Sequence, residues 1–123
     1  TIRLTKDGVF LSDGEEITHD GAVEGFHRFL GHDDEGYSIS IGRDFKRIEV
    51  EDTAYFVTDI EWFGKEGEEA IELTLSNGTR ERLDPRTLAY RPDRLTCRIQ
   101  EGKEEAKFLR RPYLELLLNA LAE

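Results

Sequence analysis

The chain has no methionine, a single cysteine, one tryptophan and three prolines among its 123 residues. A lone cysteine excludes an internal disulfide, so the fold must rest on its core, and it agrees with a reducing compartment. Apolar runs are short, as in Leu116–Leu118, against the roughly 20 residues that a membrane-spanning helix needs. No charged-then-apolar leader opens the chain, and the expected location is the cytoplasm. A chain that starts at Thr1 without any methionine reads as trimmed from a longer one. Basic charge is also scarce: 17 Lys and Arg face 27 Asp and Glu, for a net charge of −10. That field repels phosphate backbones and anionic lipid, so neither nucleic acid nor membrane is an expected partner.

Missing motifs narrow the chemistry. No G-x-S-x-G, Walker or G-x-G-x-x-G pattern occurs, which leaves no sign of an activated serine or a phosphate cradle, and no cofactor is expected. Three histidines, His19, His27 and His32, stand near Asp20, Asp33 and Asp34. The five-residue gap between His27 and His32 does not place two imidazoles on one helical face, so no metal site is expected. Cys97 alternates with Leu95 and Ile99, which points its thiol into the core, where it is a poor nucleophile.

What is present supports folding: 37% of residues are apolar and 10% aromatic, although 36% are charged. Apolar and polar residues alternate between turn dipeptides over the first two thirds of the chain. Residues 1–52 are predicted to form a β-β-α-β-β subdomain. Strands at Ile2–Leu4 and "VFLS" precede a helix capped by Thr18, with Val23, Phe26, Phe29 and Leu30 on its apolar side and Gly31 at its C-terminus. Gly21 and Gly25 each cost that helix about 1 kcal/mol, so packed phenylalanines must hold it. After the acidic loop "HDDEG", Tyr37, Ile39 and Ile41 face the same core as Ile48 and Val50 if the two strands pair antiparallel across "GRDF".

Residues 53–123 are predicted to form a second meander followed by a terminal helix. Phe56, Ile60 and Trp62 fall in one phase, Ile71, Leu73 and Leu75 alternate, and "SNGT" suits a type I′ hairpin. The segment "DPRTLAYRPDR" reads as an irregular connection with one helical turn. Strands at Leu95–Ile99 and Ala106–Phe108 lead to a helix with Pro112 in its first turn. Leu114, Leu117, Leu118 and Leu121 form one stripe of it, beside Tyr113, Leu116 and Ala120. The fold class is therefore α+β, with two similar small subdomains, each an antiparallel β-meander with one helix. The repeat is architectural, without evident sequence identity between the halves.

The central stretch "FKRIEVEDTAYFV" puts Arg47, Glu49 and Glu51 on one face of an extended chain. Glu49 and Glu51 leave the backbone roughly 6.6 Å apart, within reach of the carboxylate separation of inverting glycosidases. Arg47 on the same face opposes the raised pKa that a general acid requires. A solvated or cross-strand-paired face is the competing account.

Several segments together resemble the bacterial domain-of-unknown-function family 1285 (DUF1285): "KDGVFLSDGEEI", "EGYSIS", "FKRIEVEDTAYFV" and "FLRRPYLELL". The resemblance covers most of the chain, with "RIEVED" and "RPYLEL" its most specific pieces. It implies an α+β fold of two similar subdomains and a part in signal transduction, and it carries no catalytic residues. The glycine-bearing first helix departs from it. The leading expectation is a non-enzymatic domain that binds a small molecule or a protein, with Arg47, Glu49, Asp52 and Arg111 as its polar binding residues. A hydrolase using Glu49 and Glu51, and a module that self-associates through the last helix, are the alternatives.

Overall fold

The computed structural model describes residues 1–122, with side chains through residue 120. The chain divides into two compact units, Thr1–Ala54 and Tyr55–Glu123. In the first, β1 (Ile2–Leu4), β2 (Phe10–Ser12) and β3 (Glu15–Glu16) precede helix α1 (Asp20–Arg28), and β4 (Leu30–Asp33), β5 (Gly36–Ile41) and β6 (Asp44–Val50) follow it. The strands lie in the order β3-β2-β1-β6-β5-β4. Two antiparallel three-stranded meanders are thus joined along one parallel seam, where Ile2 sits opposite Ile48 and Leu4 opposite Val50. Leu4 is entirely buried, with Ile2, Ile39 and Ile48 buried on the same sheet.

The shared face of β5 and β6 is as expected. Ile39 is opposite Lys46 and Ile41 opposite Asp44, so the odd apolar positions of β5 and the even ones of β6 point the same way. The two-residue turn Gly42–Arg43 permits this register because Gly42 takes a φ of +61°.

Helix α1 is shorter than its periodicity predicts. His19 replaces Thr18 as its cap, with Nδ1 accepting from the Ala22 N–H at 3.2 Å. The Phe29 N–H closes the last turn on the Gly25 carbonyl, and Leu30 already belongs to β4, opposite Ile39. Gly31 therefore pairs with Ser38 instead of capping the helix, and Phe29 is exposed. Strand pairing buries Leu30 and satisfies the backbone at once, which one more helical turn would not do. The acidic "HDDEG" is the hairpin between β4 and β5, with Asp33 opposite Gly36. No residue of α1 is fully buried. It rests on Phe10, against which Phe26 packs edge-on at 5.5 Å and His27 at 4.6 Å.

The second unit contains β7 (Tyr55–Phe63), β8 (Ala70–Leu75), β9 (Arg80–Arg82), a 3₁₀ turn at Pro85–Thr87, β10 (Ala89–Arg91), β11 (Arg94–Ile99), β12 (Glu104–Phe108) and helix α2 (Arg110–Ala122). Its order, β10-β11-β12-β7-β8-β9, read from the other edge repeats that of the first unit strand for strand. Its parallel seam joins β7 to β12, with Tyr55 opposite Ala106 and Val57 opposite Phe108. The 3₁₀ turn takes the place that α1 holds between the third and fourth strands, and α2 is added after the sixth. The two similar α+β subdomains are therefore present, and in each a mixed sheet joins two antiparallel meanders.

Three local expectations change. A bulge between Val57 and Asp59 inserts a residue into β7, which reverses the faces. Ile60 and Trp62 consequently share a side with Val57, Leu73 and Leu75, not with Phe56. At "SNGT" only Gly78 takes a positive φ, of +86°, and the Leu75 N–H bonds to the Thr79 carbonyl; this is a longer loop with a glycine bulge, not a type I′ turn. Residues 89–91, read as irregular, form β10 and pair Tyr90 with Leu95. The helical turn expected in that segment is present, capped by the Asp84 carboxylate on the Arg86 N–H. The side chain of Leu121, fourth in the terminal stripe, lies outside the described residues.

Leu4→Asp places an unpaired charge in the first seam and is expected to lower stability by about 3 kcal/mol or more. Urea unfolding checks this, and a wild-type midpoint would mean that the seam is not the centre of the unit.

Candidate functional site

The face proposed from sequence is built by four strands. Ser38 lies opposite Arg47, and Gly31 opposite Ser38, so Arg47 on β6 shares a surface with the end of β4. Its guanidinium reaches across β5: Nη1 donates to Asp33 Oδ1 and Nη2 to Asp33 Oδ2, both at 2.8 Å. Nη1 also donates to the Gly36 carbonyl at 3.1 Å and Nη2 to Glu35 at 3.3 Å. The Phe45 ring lies beneath it, 5.0 Å away. The hydrogen bonds from Arg47, with a further one from the Glu35 N–H, hold the Asp33 carboxyl at about 2. The same pairing raises the Arg47 pKa. Arg47 is thus committed to the β4–β5 hairpin of its own unit.

Glu49 and Glu51 meet a second arginine. Arg3 lies opposite Glu49 across the parallel seam, and its Nη1 and Nη2 stand 3.7 Å from Glu49 and Glu51. Glu51 also accepts the Lys6 N–H at 2.6 Å. Both carboxylates are exposed and face a cation, without the apolar pocket that a general acid needs. Asp52 is exposed in the bend after β6. Arg111 belongs to the second unit, where Nη2 donates to the Thr58 carbonyl at 3.2 Å and lies 3.4 Å from Asp59, tying the start of α2 to β7. Of the four predicted binding residues, the structure brings Arg47 and Glu49 onto one face and supplies each with a partner from its own unit.

Other candidate groups also have structural roles. Burial, with Glu81 and Glu105 nearby, pushes the Cys97 thiol up to about 12. His19 caps α1, His32 stacks on Tyr37 at 4.1 Å, and burial lowers the His27 pKa. Among the described residues, no three His, Cys, Asp or Glu side chains gather as a metal site. Among the described residues, no helix is long and apolar enough to cross a membrane.

Each unit carries a groove. In the first, about 370 Å³ opens between α1 and the β2–β3 hairpin, over Phe10, Ile17 and Val23, with Glu16, Asp20 and Glu24 at its rim. In the second, about 250 Å³ lies between α2 and the β10–β11 hairpin. Its walls are apolar: Leu88, Leu95, Leu116, Leu117 and the rings of Tyr90 and Tyr113. Those rings stack at 6.5 Å, and the neighbouring Tyr90 hydroxyl raises the Tyr113 pKa. Beside the groove Tyr90 is 63% exposed and Leu118 64%. Sequence reasoning passed over Tyr90 because its segment holds two prolines; the signal available was the alternation of Leu88 with Tyr90.

Two solved structures share this fold. A DUF1285 family protein from Silicibacter pomeroyi DSS-3 is 18% identical with a TM-score of 0.73, over 94% of this chain and 66% of its own length. A DUF1285 family protein from Shewanella baltica OS155 is 19% identical with a TM-score of 0.67, over 95% of this chain and 90% of its own. The chain thus spans just under two thirds of the first protein. Both likenesses are of fold, and they fall in the family that the sequence motifs resemble. No family profile and no curated protein matches the chain.

Asp33 ionises below its ordinary 3.8, so the stability it contributes is complete above about pH 4 and is lost as pH falls through about 2. Asp33→Asn is expected to flatten the stability curve across that window, measured by urea unfolding at successive pH values. An unchanged slope would mean that the Arg47 pair does not form in solution.

Proposed function

We propose that this chain is a non-enzymatic binding module that docks a segment of a protein through the apolar groove of its second unit. The groove beside α2, flanked by exposed leucines and Tyr90, is the observation that carries this reading. A small-molecule site combines apolar walls with a few convergent polar groups. Here the lining side chains are leucine, alanine and tyrosine, so two tyrosine hydroxyls are its polar side-chain groups. An open apolar channel along a helix suits instead a peptide or helix that lays down its apolar side chains, and Tyr90 is the residue type that anchors such contacts.

The hydrolase alternative is the weaker reading, because Glu49 and Glu51 share Arg3 at the surface. Arg47, Glu49 and Arg111 serve their own strands and helix in this view, so the polar face is support, not a docking site. The resemblance to DUF1285 suggests signal transduction, a role in which a binding module transmits contact without chemistry. Acidic charge and a buried, unpaired thiol suit the cytoplasm.

A fluorescent apolar reporter should bind the native chain at micromolar concentration, and Leu117→Asp should reduce its emission several-fold while the circular dichroism stays native. Equal emission from the two proteins would remove the groove from the reading. Activity in a broad hydrolase panel that vanishes in a Glu49→Gln, Glu51→Gln double variant would replace the reading altogether.

A further inference from the structure

Helix α2 has more apolar surface than its own unit uses. Tyr113, Leu116 and Leu117 line the groove, and Leu114, Leu117 and Leu118, at i, i+3 and i+4, remain 36%, 38% and 64% exposed. One surface therefore bears a projecting leucine and, on the adjoining face of the same helix, a hole. Apolar cavities of roughly 150 Å³ already accept a six-carbon ring, so the groove of about 250 Å³ has room for a leucine side chain. A surface with both knob and hole is complementary to itself under a two-fold axis.

Charge selects the partner and its direction. Two copies that each carry −10 repel over most of their surface. Between Pro112 and Ala122 the only charged residue is Glu115, so this strip is where like copies can approach. Arg110 and Arg111 stand at the N-terminal end of α2. Arg111 is held by Thr58 and Asp59, while Arg110 is exposed. The far end of the helix presents carbonyl groups with a partial negative charge. Antiparallel pairing sets Arg110 of each copy over the carbonyl end of the other, whereas parallel pairing sets arginine against arginine.

We propose that a second copy of this chain is the occupant of the groove: two α2 helices pack antiparallel about a two-fold axis, each inserting Leu118 toward the other's Tyr90–Leu117 channel. This rests on the groove being a docking site, as argued above, and deepens that reading by naming the partner. The dimer hides the groove, so reporter binding per chain should fall as protein concentration rises.

Sedimentation velocity of the full chain over a hundredfold concentration range tests the proposal. The expected result is a shift from a 14.2 kDa species to one of twice that mass. Leu118→Lys, at an exposed position, should stay monomeric throughout with a native unfolding midpoint. Arg110→Glu should raise the dissociation constant about fivefold, since each dimer contains two such contacts with a helix end. A wild-type monomer at every concentration overturns the second-copy proposal. If reporter emission still depends on Leu117 in that case, the docking groove survives; if it does not, both readings fall together. A dimer that Leu118→Lys leaves intact uses another surface and also overturns the proposal, and a dimer indifferent to Arg110→Glu overturns the antiparallel direction.

Discussion

Each unit depends on the parallel pairing of its first strand with its sixth. The chain lays down one antiparallel meander, crosses by α1 or by the 3₁₀ turn, lays down a second, and returns to the strand it began with. Those seam strands lie at the centre of the sheet, and three of the four apolar side chains entirely removed from water among the described residues, Leu4, Val57 and Ala106, sit on them, with Leu73 on the adjoining β8. Hairpin turns set the register inside each meander, but only side-chain burial sets it across the seam. Each sheet has one outermost strand that is short and polar. β3 is a pair of glutamates, and β9 is Arg-Glu-Arg. Such edges discourage the addition of further strands.

The wet faces of the sheets are held by ion pairs that link neighbouring strands. Arg3 serves Glu49 and Glu51 across the first seam, Arg47 reaches Asp33 over an intervening strand, Arg80 faces Glu72, and Arg94 faces Glu105. Exposed pairs of this kind contribute little individually. Their effect is on availability: in a chain with a large excess of acid, these arginines are already engaged. That is why a face with an arginine and two glutamates, which invites a chemical reading, becomes a strand-pairing surface once its neighbours are known.

The distribution of apolar residues carries the functional argument. Both seams close with their apolar residues inside, and Cys97 is absorbed into the second core as a small inert side chain. Helix α2 differs, since it covers its own sheet with one face and still offers leucines on another. Helix α1, with no fully buried residue, contributes mainly through Phe26 and His27 on Phe10. The helix that the second unit adds beyond the shared six-strand plan is therefore also the one with unspent apolar surface, which connects the departure from the repeat to the proposed docking role.

Alternation by itself determined the α+β class, the two similar halves, the common face of β5 and β6, the inward Cys97 and the terminal helix. Each of these follows from the side-chain period of a strand or a helix, a local property of the chain. Tertiary structure alone decided the rest, because it turns on which segments meet. The parallel seams join residues more than forty positions apart, such as Leu4 and Val50, and no local pattern encodes that pairing. The bulge after Val57 reversed the phase of Ile60 and Trp62, and Leu30 left the helix because Ile39 offered it a buried strand partner. Arg47 found Asp33 only when β4 was placed beside β5. The groove likewise needed Tyr90 and Leu117, distant in sequence, to line one channel between a hairpin and a helix.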